Sequence, residues 1–363
     1  MKLVSNKILA FGKILLLFSA QEIYAQSTPK YSNEFLSIGV GARAFGMSNS
    51  VVATADDVTA GYWNPAGLVK QEDKIQLSFM HSAYLGGITN YDYLGLSTKV
   101  KENAALSFAM VRFGVDGIPN TFDLVRNGQI NYDRVTEFSA VDYGFFLSYA
   151  QQALIEGLSF GGSAKVVHRR AGDFTTAWGF GIDAAIRYET DDNWTLAAIG
   201  RDITTTFNAW NFNFTDAEKD VFTQTGNEIP VNSLELTLPK FIFAVAKRTD
   251  LSEDLSLLAE INFDINTDGK RNTVIKSDFV SVDPHLGLEF SYKDIIYLRG
   301  GVGNIQQEQN IAGFDEWNFQ PNVGLGLDLK KLRIDYALSD IGDQSAALYS
   351  HVFSIIAAIN PPN

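Results

Sequence analysis

Few side chains in this sequence are spaced for chemistry. Asp264, Asn266 and Asp268, followed by Gly269, set oxygens at alternate positions ahead of a turn glycine, as in the first half of a calcium loop. The twelfth position is Ile275 rather than a bidentate Glu, and Asn with Asp-Gly would equally make a polar hairpin turn. Calcium at this stretch is one expectation, and a plain turn is the other. His81, His168, His285 and His351 are scattered, with no His-Glu-x-x-His, zinc or nucleophile-elbow spacing. A hydrolase would need a Ser and a His to meet on neighbouring strands, which spacing alone does not specify. Gly39-Val40-Gly41 is followed by Gly46, which is not a dinucleotide fingerprint. The chain therefore reads as non-enzymatic, with no catalytic residue and no cofactor beyond the calcium candidate.

The elements that carry these residues follow from composition and period. Met1 to Ala25 holds Lys2 and Lys7, the apolar run Ile14-Leu15-Leu16-Leu17-Phe18 and a small residue at Ala25, which predicts a signal peptide cleaved before Gln26. Removing residues 1–25 takes the formal charge from −13 to −15, so nucleic acid is not an expected partner. With no cysteine, stability after export must come without disulfides. No later segment offers the roughly 20 continuous apolar residues of a membrane helix.

Alternation supplies the fold class. Trp178, Phe180, Ile182, Ala184, Ile186 and Tyr188 share one face, while Gly179, Gly181, Asp183, Ala185 and Arg187 share the other. Ten residues of apolar-against-small alternation with aromatics at both ends suit a lipid-facing barrel strand. The same phase recurs at Leu158 to Arg169, Val141 to Tyr149 and Val323 to Leu329. Fourteen strands are predicted, near 72–81, 89–100, 103–113, 137–151, 156–170, 174–189, 192–204, 238–249, 254–266, 279–291, 294–303, 318–329, 331–339 and 345–359. Long connections at 114–136, 205–237, 267–278 and 304–317 fall on alternate joints, as expected for tight periplasmic turns and extended surface loops. The fold class is all-β: a 14-stranded antiparallel transmembrane β-barrel, closed because hydrocarbon leaves no backbone edge satisfied.

Ahead of the strands lies a different kind of stretch, Gly39 to Leu68. It carries Gly41, Arg43, Gly46, the pair Asp56 and Asp57, and the run Tyr62-Trp63-Asn64-Pro65-Ala66-Gly67. Pro65 fixes its own φ and holds Asn64 extended, so this irregular stretch has a defined path. It reads as a compact plug, with residues 26–70 a hatch segment and 71–363 the barrel. Arg43, with its planar fork, is expected to anchor that plug to a lumen carboxylate or to carbonyls.

Gly41-Ala42-Arg43-Ala44, Gly46-Met47, Ala55-Asp56-Asp57 and Tyr62-Trp63-Asn64-Pro65-Ala66-Gly67-Leu68 resemble the start of the PorV/PorQ-like branch of the FadL-type outer-membrane barrels. In that family an N-terminal hatch precedes fourteen strands. The resemblance implies an outer-membrane protein of the Bacteroidota, linked to type IX secretion or to a related export or barrel-assembly machinery. It would be a subunit or client-binding platform whose partners are outer-membrane lipid, other barrels or surface lipoproteins, and exported client proteins. The alternative that the same resemblance implies is a FadL-type transporter of hydrophobic small molecules, which would call for an apolar lumen pocket and a strand interruption.

Two further groups of residues bear on that choice. Lys165 with Asp183, Glu289 with Arg299, and Asp328 with Arg333 would pair on the inward face, bracing the lumen or lining a conduit. On the long connections, Phe122, Phe207, Trp210, Phe212, Phe214 and Trp317 would either pack over the barrel mouth or present a protein-binding surface.

Overall fold

The computed structural model describes residues 32–84, 87–126, 128–269, 271–309, 314–339 and 350–359. The predicted leader, 1–25, lies outside them. Among the described residues one antiparallel sheet closes on itself as fourteen staves. They are β1 (Ile75–Tyr84), β2 (Thr89–Lys101), β3 (Ala104–Asn120), β4 (Thr136–Gln152), β5 (Leu158–Ala171) and β6 (Thr175–Glu189). Stave β7 has two pieces, Trp194–Arg201 and Thr206–Phe212, as does β8, Ser233–Thr237 and Lys240–Asp250. Then come β9 (Leu255–Asn266), β10 (Ser281–Tyr292), β11 (Ile296–Gln309), β12 (Asp315–Asp328), β13 (Leu332–Ser339) and β14 (Ser350–Ile359). The ring closes where β1 pairs with β14, from Ile75 opposite Ile359 to Ala83 opposite His351.

The alternation maps directly onto the wall. Along β6, Trp178, Phe180, Ile182 and Ile186 face outward and are exposed, whereas Gly179, Gly181, Asp183 and Arg187 face inward and are buried. Lipid covers the first set and the packed interior covers the second, which is why a period of two survives so cleanly here.

Several predicted loops are shorter than their sequence suggested. Stave β3 runs on to Asn120, β7 resumes at Thr206, and β8 begins at Ser233, so the connection expected at 205–237 is reduced to 213–232. That connection holds one helix, α1 (Asp216–Gln224), started by a capping box between Thr215 and Glu218. Likewise β11 extends to Gln309 and β12 starts at Asp315, within the loop expected at 304–317. In these extensions polar residues such as Asn120, Thr206, Asn208 and Asp315 interrupt the apolar alternation that marks a strand.

The segment 32–71 lies inside this ring. It turns through short helical pieces at Glu34–Ser37, Ala42–Gly46, Ala60–Trp63 and Pro65–Lys70. Its Val40, Ala42, Met47, Val52, Ala60 and Leu68 are among the most buried residues of the chain, packed against inward faces of the wall.

Candidate functional site

The chemistry of the interior is that of an anchored segment. Arg43 donates from Nε and Nη2 to the two carboxylate oxygens of Glu289 on β10, at 3.0 and 3.2 Å, and from Nη1 to the Thr54 carbonyl at 3.2 Å. Burial opposes its charge, but Glu289 first and Asp56 next outweigh that, holding the guanidinium charged well above its ordinary range. Arg43 thus takes both partners expected of it, a lumen carboxylate and a carbonyl. Glu289 is shared with Arg299 on β11 at 2.5 Å, and Arg299 reaches Asp335 on β13 at 2.7 Å. The other inward pairs also form: Lys165 with Asp183 at 2.9 Å, and Arg333 with Asp328 at 3.0 Å.

The remaining motif residues shape the segment. Asp57 is buried and accepts from the Thr59 amide at 2.8 Å, with Arg333 at 3.5 Å, whereas the Asp56 carboxylate is half exposed and stands 3.8 Å from Arg43. Trp63 Nε1 donates to the Val40 carbonyl at 2.8 Å. Asn64 donates to the Val52 carbonyl at 2.9 Å and accepts from the Ala66 amide at 3.1 Å, capping the turn that Pro65 opens. Gly41, at φ 86°, turns the chain into Ala42–Gly46. Gly46 passes the wall so closely that a Cβ there would sit 2.9 Å from the Gly324 Cα. A Cβ on Gly67 would run into the Ala55 carbonyl oxygen.

Some anchors left no mark in the sequence. Glu260 on β9 is fully buried and accepts from the Ala53 amide at 2.8 Å and the Thr54 hydroxyl at 2.5 Å. Arg187 on β6 donates to the Ala53 carbonyl at 2.9 Å, and Arg201 on β7 lies over the Tyr62 ring at 4.7 Å. The amides of Gly41 and Ala42 donate to Met80 Sδ on β1 and to Ser354 Oγ on β14, each at 3.0 Å, one on either side of the closing seam.

Between this segment and the loop-bearing end lies a cavity of about 420 Å³. Its lining is polar, with Asn262, Asn304, Gln306, Gln320 and the paired charges Lys240 and Asp264 over a floor that includes Trp63 and Phe45. Beside it the wall is interrupted. At residues 202–205 β7 bulges: the Ile203 amide still donates to the Ile182 carbonyl at 3.0 Å, but paired register with β6 resumes only at Phe207 opposite Phe180, with Asp202 and Thr205 at positive φ, opposite Leu238 and Pro239 between the pieces of β8. The break is bridged by Lys165, which holds Asp183 at 2.9 Å and Asp202 at 2.7 Å.

The calcium candidates occupy the outer end of β9 and the turn after it. Asp264 faces Lys240 at 2.6 Å, Asp268 faces Arg271 at 2.5 Å, and Asn266 is buried on the same stave. Asp264 also lies 3.9 Å from His285, which is 3.4 Å from Asp283; among the described residues no group of three or more His, Asp or Glu is placed to hold a metal ion. Because Lys240 and Arg271 already supply the positive charge, calcium added to chelator-treated protein is expected to leave its thermal midpoint unchanged. A calcium-dependent rise in that midpoint would show the ion displacing those pairs.

The aromatic residues of the connections divide into three. Phe122, Phe214 and Phe222 meet Phe174 or one another at centroid distances of 5.0–6.2 Å, forming a ring cluster between the connections. Phe212 and Trp210 continue it, with Arg169 stacked 4.9 Å over Trp210. Phe207, expected on a loop, instead points outward from the second piece of β7 opposite Phe180, on the lipid-facing wall. Trp317 is exposed on β12, apart from the cluster.

Residues 21–234, more than half the chain, match the family model described as type IX secretion system protein PorV. The chain belongs to the PorV family. No curated protein matches it. Solved structures of similar fold include the toluene transporter TodX of P. putida, with TM-score 0.55 and 12% identity over 89% of this chain and 99% of that one. The Ralstonia pickettii toluene transporter TbuX gives 0.53 and 11% over 89% and 99%. A Pseudomonas aeruginosa FadL homologue gives 0.52 and 13% over 88% and 98%. At these identities the likeness is one of fold: an outer-membrane barrel of FadL type. Family and neighbours alike are secretion or transport barrels.

Proposed function

We propose that this PorV-family chain is a non-enzymatic outer-membrane barrel serving as a subunit or client-binding platform of a type IX secretion assembly, working through its loop-bearing end. The observation that carries this reading is the contrast between the two ends of the interior. The N-terminal segment fills the lumen and is tied to the wall by Arg43, Glu289 and Glu260, in the manner of a plug. The loop end instead carries a packed aromatic cluster that holds its connections in one arrangement. Rigid aromatic anchors suit protein recognition. Replacing 213–232 by a short Gly-Ser turn spares the paired pieces of β7 and β8. That change is expected to abolish recovery of other barrels, surface lipoproteins or exported clients in a mild-detergent pull-down, and undiminished recovery would count against the reading.

A second reading has one observation in its favour, the interruption of β7 at 202–205 beside a second, smaller pocket. A FadL-type transporter needs such a break and an apolar pocket next to it. Here the break is bridged by Lys165 and two carboxylates, and the pocket that Asp202, Leu238 and Pro239 line measures about 40 Å³, well under the roughly 300 Å³ of a small-molecule site. Proteoliposomes carrying the intact chain are therefore expected to show no steady large conductance and no toluene uptake above empty vesicles. Uptake in that assay would favour the transporter.

A further inference from the structure

Anchoring the lumenal segment does not account for the cavity above it. Its 420 Å³ falls within the roughly 300–1,000 Å³ of small-molecule sites. Six consecutive staves, β8 to β13, contribute Lys240, Asn262, His285, Asn304, Gln320 and Ser339 to its walls, and the lumenal segment closes its floor with Phe45, Val52 and Trp63. It is therefore a blind compartment and not a groove running through the barrel. One wall is shaped toward this space. Stave β11 bulges between Gly303 and Gln306, with Asn304 at φ 49°, and Gln306 Nε2 donates to Asn304 Oδ1. The bulge brings the amides of Asn304 and Gln306 into the lining, where strict alternation from the inward Gly303 would have placed Ile305.

The charges of the lining cancel. Lys240 meets Asp264 at 2.6 Å, Arg271 meets Asp268 and Glu34 at 2.5 and 3.0 Å, and His285 meets Asp283 at 3.4 Å. Arg201, Lys240 and Arg271 thus stand against Glu34, Asp264 and Asp283 in equal number. Asn262 gives its Nδ2 to the Asn49 carbonyl at 3.1 Å, but among the described residues its Oδ1, like Asp283 Oδ1, is buried with no donor. A buried acceptor is costly until a donor reaches it. We propose that this cavity binds a neutral saccharide of one or two rings, either dissolved or at the end of a surface glycan. An ion of either sign meets no net countercharge there. Each sugar hydroxyl donates and accepts, as each Asn and Gln amide does, so ring hydroxyls satisfy amides on every wall and supply the donors that Asn262 and Asp283 lack. The apolar floor beneath polar walls suits the C–H face of a sugar ring. An extended peptide would need an open-ended groove. The site goes beyond the assembly reading and does not depend on it.

The test uses the full mature chain in a detergent without a sugar headgroup. Saturation-transfer NMR is run with glucose, galactose, N-acetylglucosamine and lactose, and separately with glycans released by mild acid from the host cell surface. At least one probe is expected to receive saturation, with half-occupancy below about 1 mM. Binding of the free sugars assigns a dissolved ligand, and binding of the released glycans alone assigns a surface glycan. Gln320→Trp fills the cavity from β12, and Asn304→Gly removes an amide while suiting the backbone there. Each is expected to weaken binding about tenfold with heat-modifiable migration unchanged. If Gln320→Trp does not fold, Asn304→Gly decides alone. Absence of binding by every probe, undiminished binding by a folded variant, or tighter binding of glucose 6-phosphate than of glucose overturns the proposal. Sugar binding by a chain that recovers no other barrel would leave the proposal standing while overturning the assembly reading.

Discussion

Glu289→Leu is expected to be among the most destabilising single changes in the molecule, at about 3–5 kcal/mol. Glu289 is the carboxylate shared by Arg43 of the lumenal segment and Arg299 of the wall, and it is buried. Removing it leaves two guanidinium groups facing each other inside the barrel. Arg43 keeps only the Thr54 carbonyl and the distant Asp56, and Arg299 keeps Asp335. Stripping one partner from a buried pair costs far more than the pair contributes net, because the orphaned charge stays desolvated. Glu289→Gln retains an acceptor and should fall between wild type and Leu. The measurement is the urea midpoint of heat-modifiable migration in matched micelles, and a Leu variant within 1 kcal/mol of wild type, roughly the worth of an exposed pair, would mean that the anchor is dispensable.

Gly67→Ala is expected to cost about 1–3 kcal/mol, whereas Gly300→Ala should stay within about 0.5 kcal/mol. Both changes add one methyl group, and their surroundings differ. At Gly67 the new Cβ meets the Ala55 carbonyl oxygen, a backbone atom of the same tightly packed segment, so the chain itself must shift. At Gly300 nothing lies within 4 Å of the added carbon. The contrast controls for general effects of alanine in this barrel, and equal midpoints for the two variants would contradict the packing of the segment described here.

How much of this was legible in the sequence depended on what lay on the two sides of each residue. The staves were readable where lipid meets one face and a filled interior meets the other, as along Trp178 to Tyr188. They were unreadable where polar residues take the inward positions and break the apolar run, as at Asp116 to Asn120, or at Thr206 to Phe212, where Thr206 and Asn208 are buried inward and Phe207 faces out. Arg43 and the pairs Lys165–Asp183 and Glu289–Arg299 could be read because charge inside a barrel requires a counter-charge nearby. Glu260 could not, since its partners are the amide of Ala53 and a hydroxyl some two hundred positions away. The interruption at 202–205 had only Asp202, Thr205 and Pro239 to announce it.

The bonds from Gly41 and Ala42 to Met80 and Ser354 bear on how the ring is completed. A cylinder made from one strip must finally join its first edge to its last, and that joint is the one place where no turn of chain ties neighbours together. Here two consecutive amides reach across the inside of the joint and hold both edges, like a clasp sewn behind a buttonhole. The segment that fills the bore thus also fastens the circumference, holding β1 and β14 together from within.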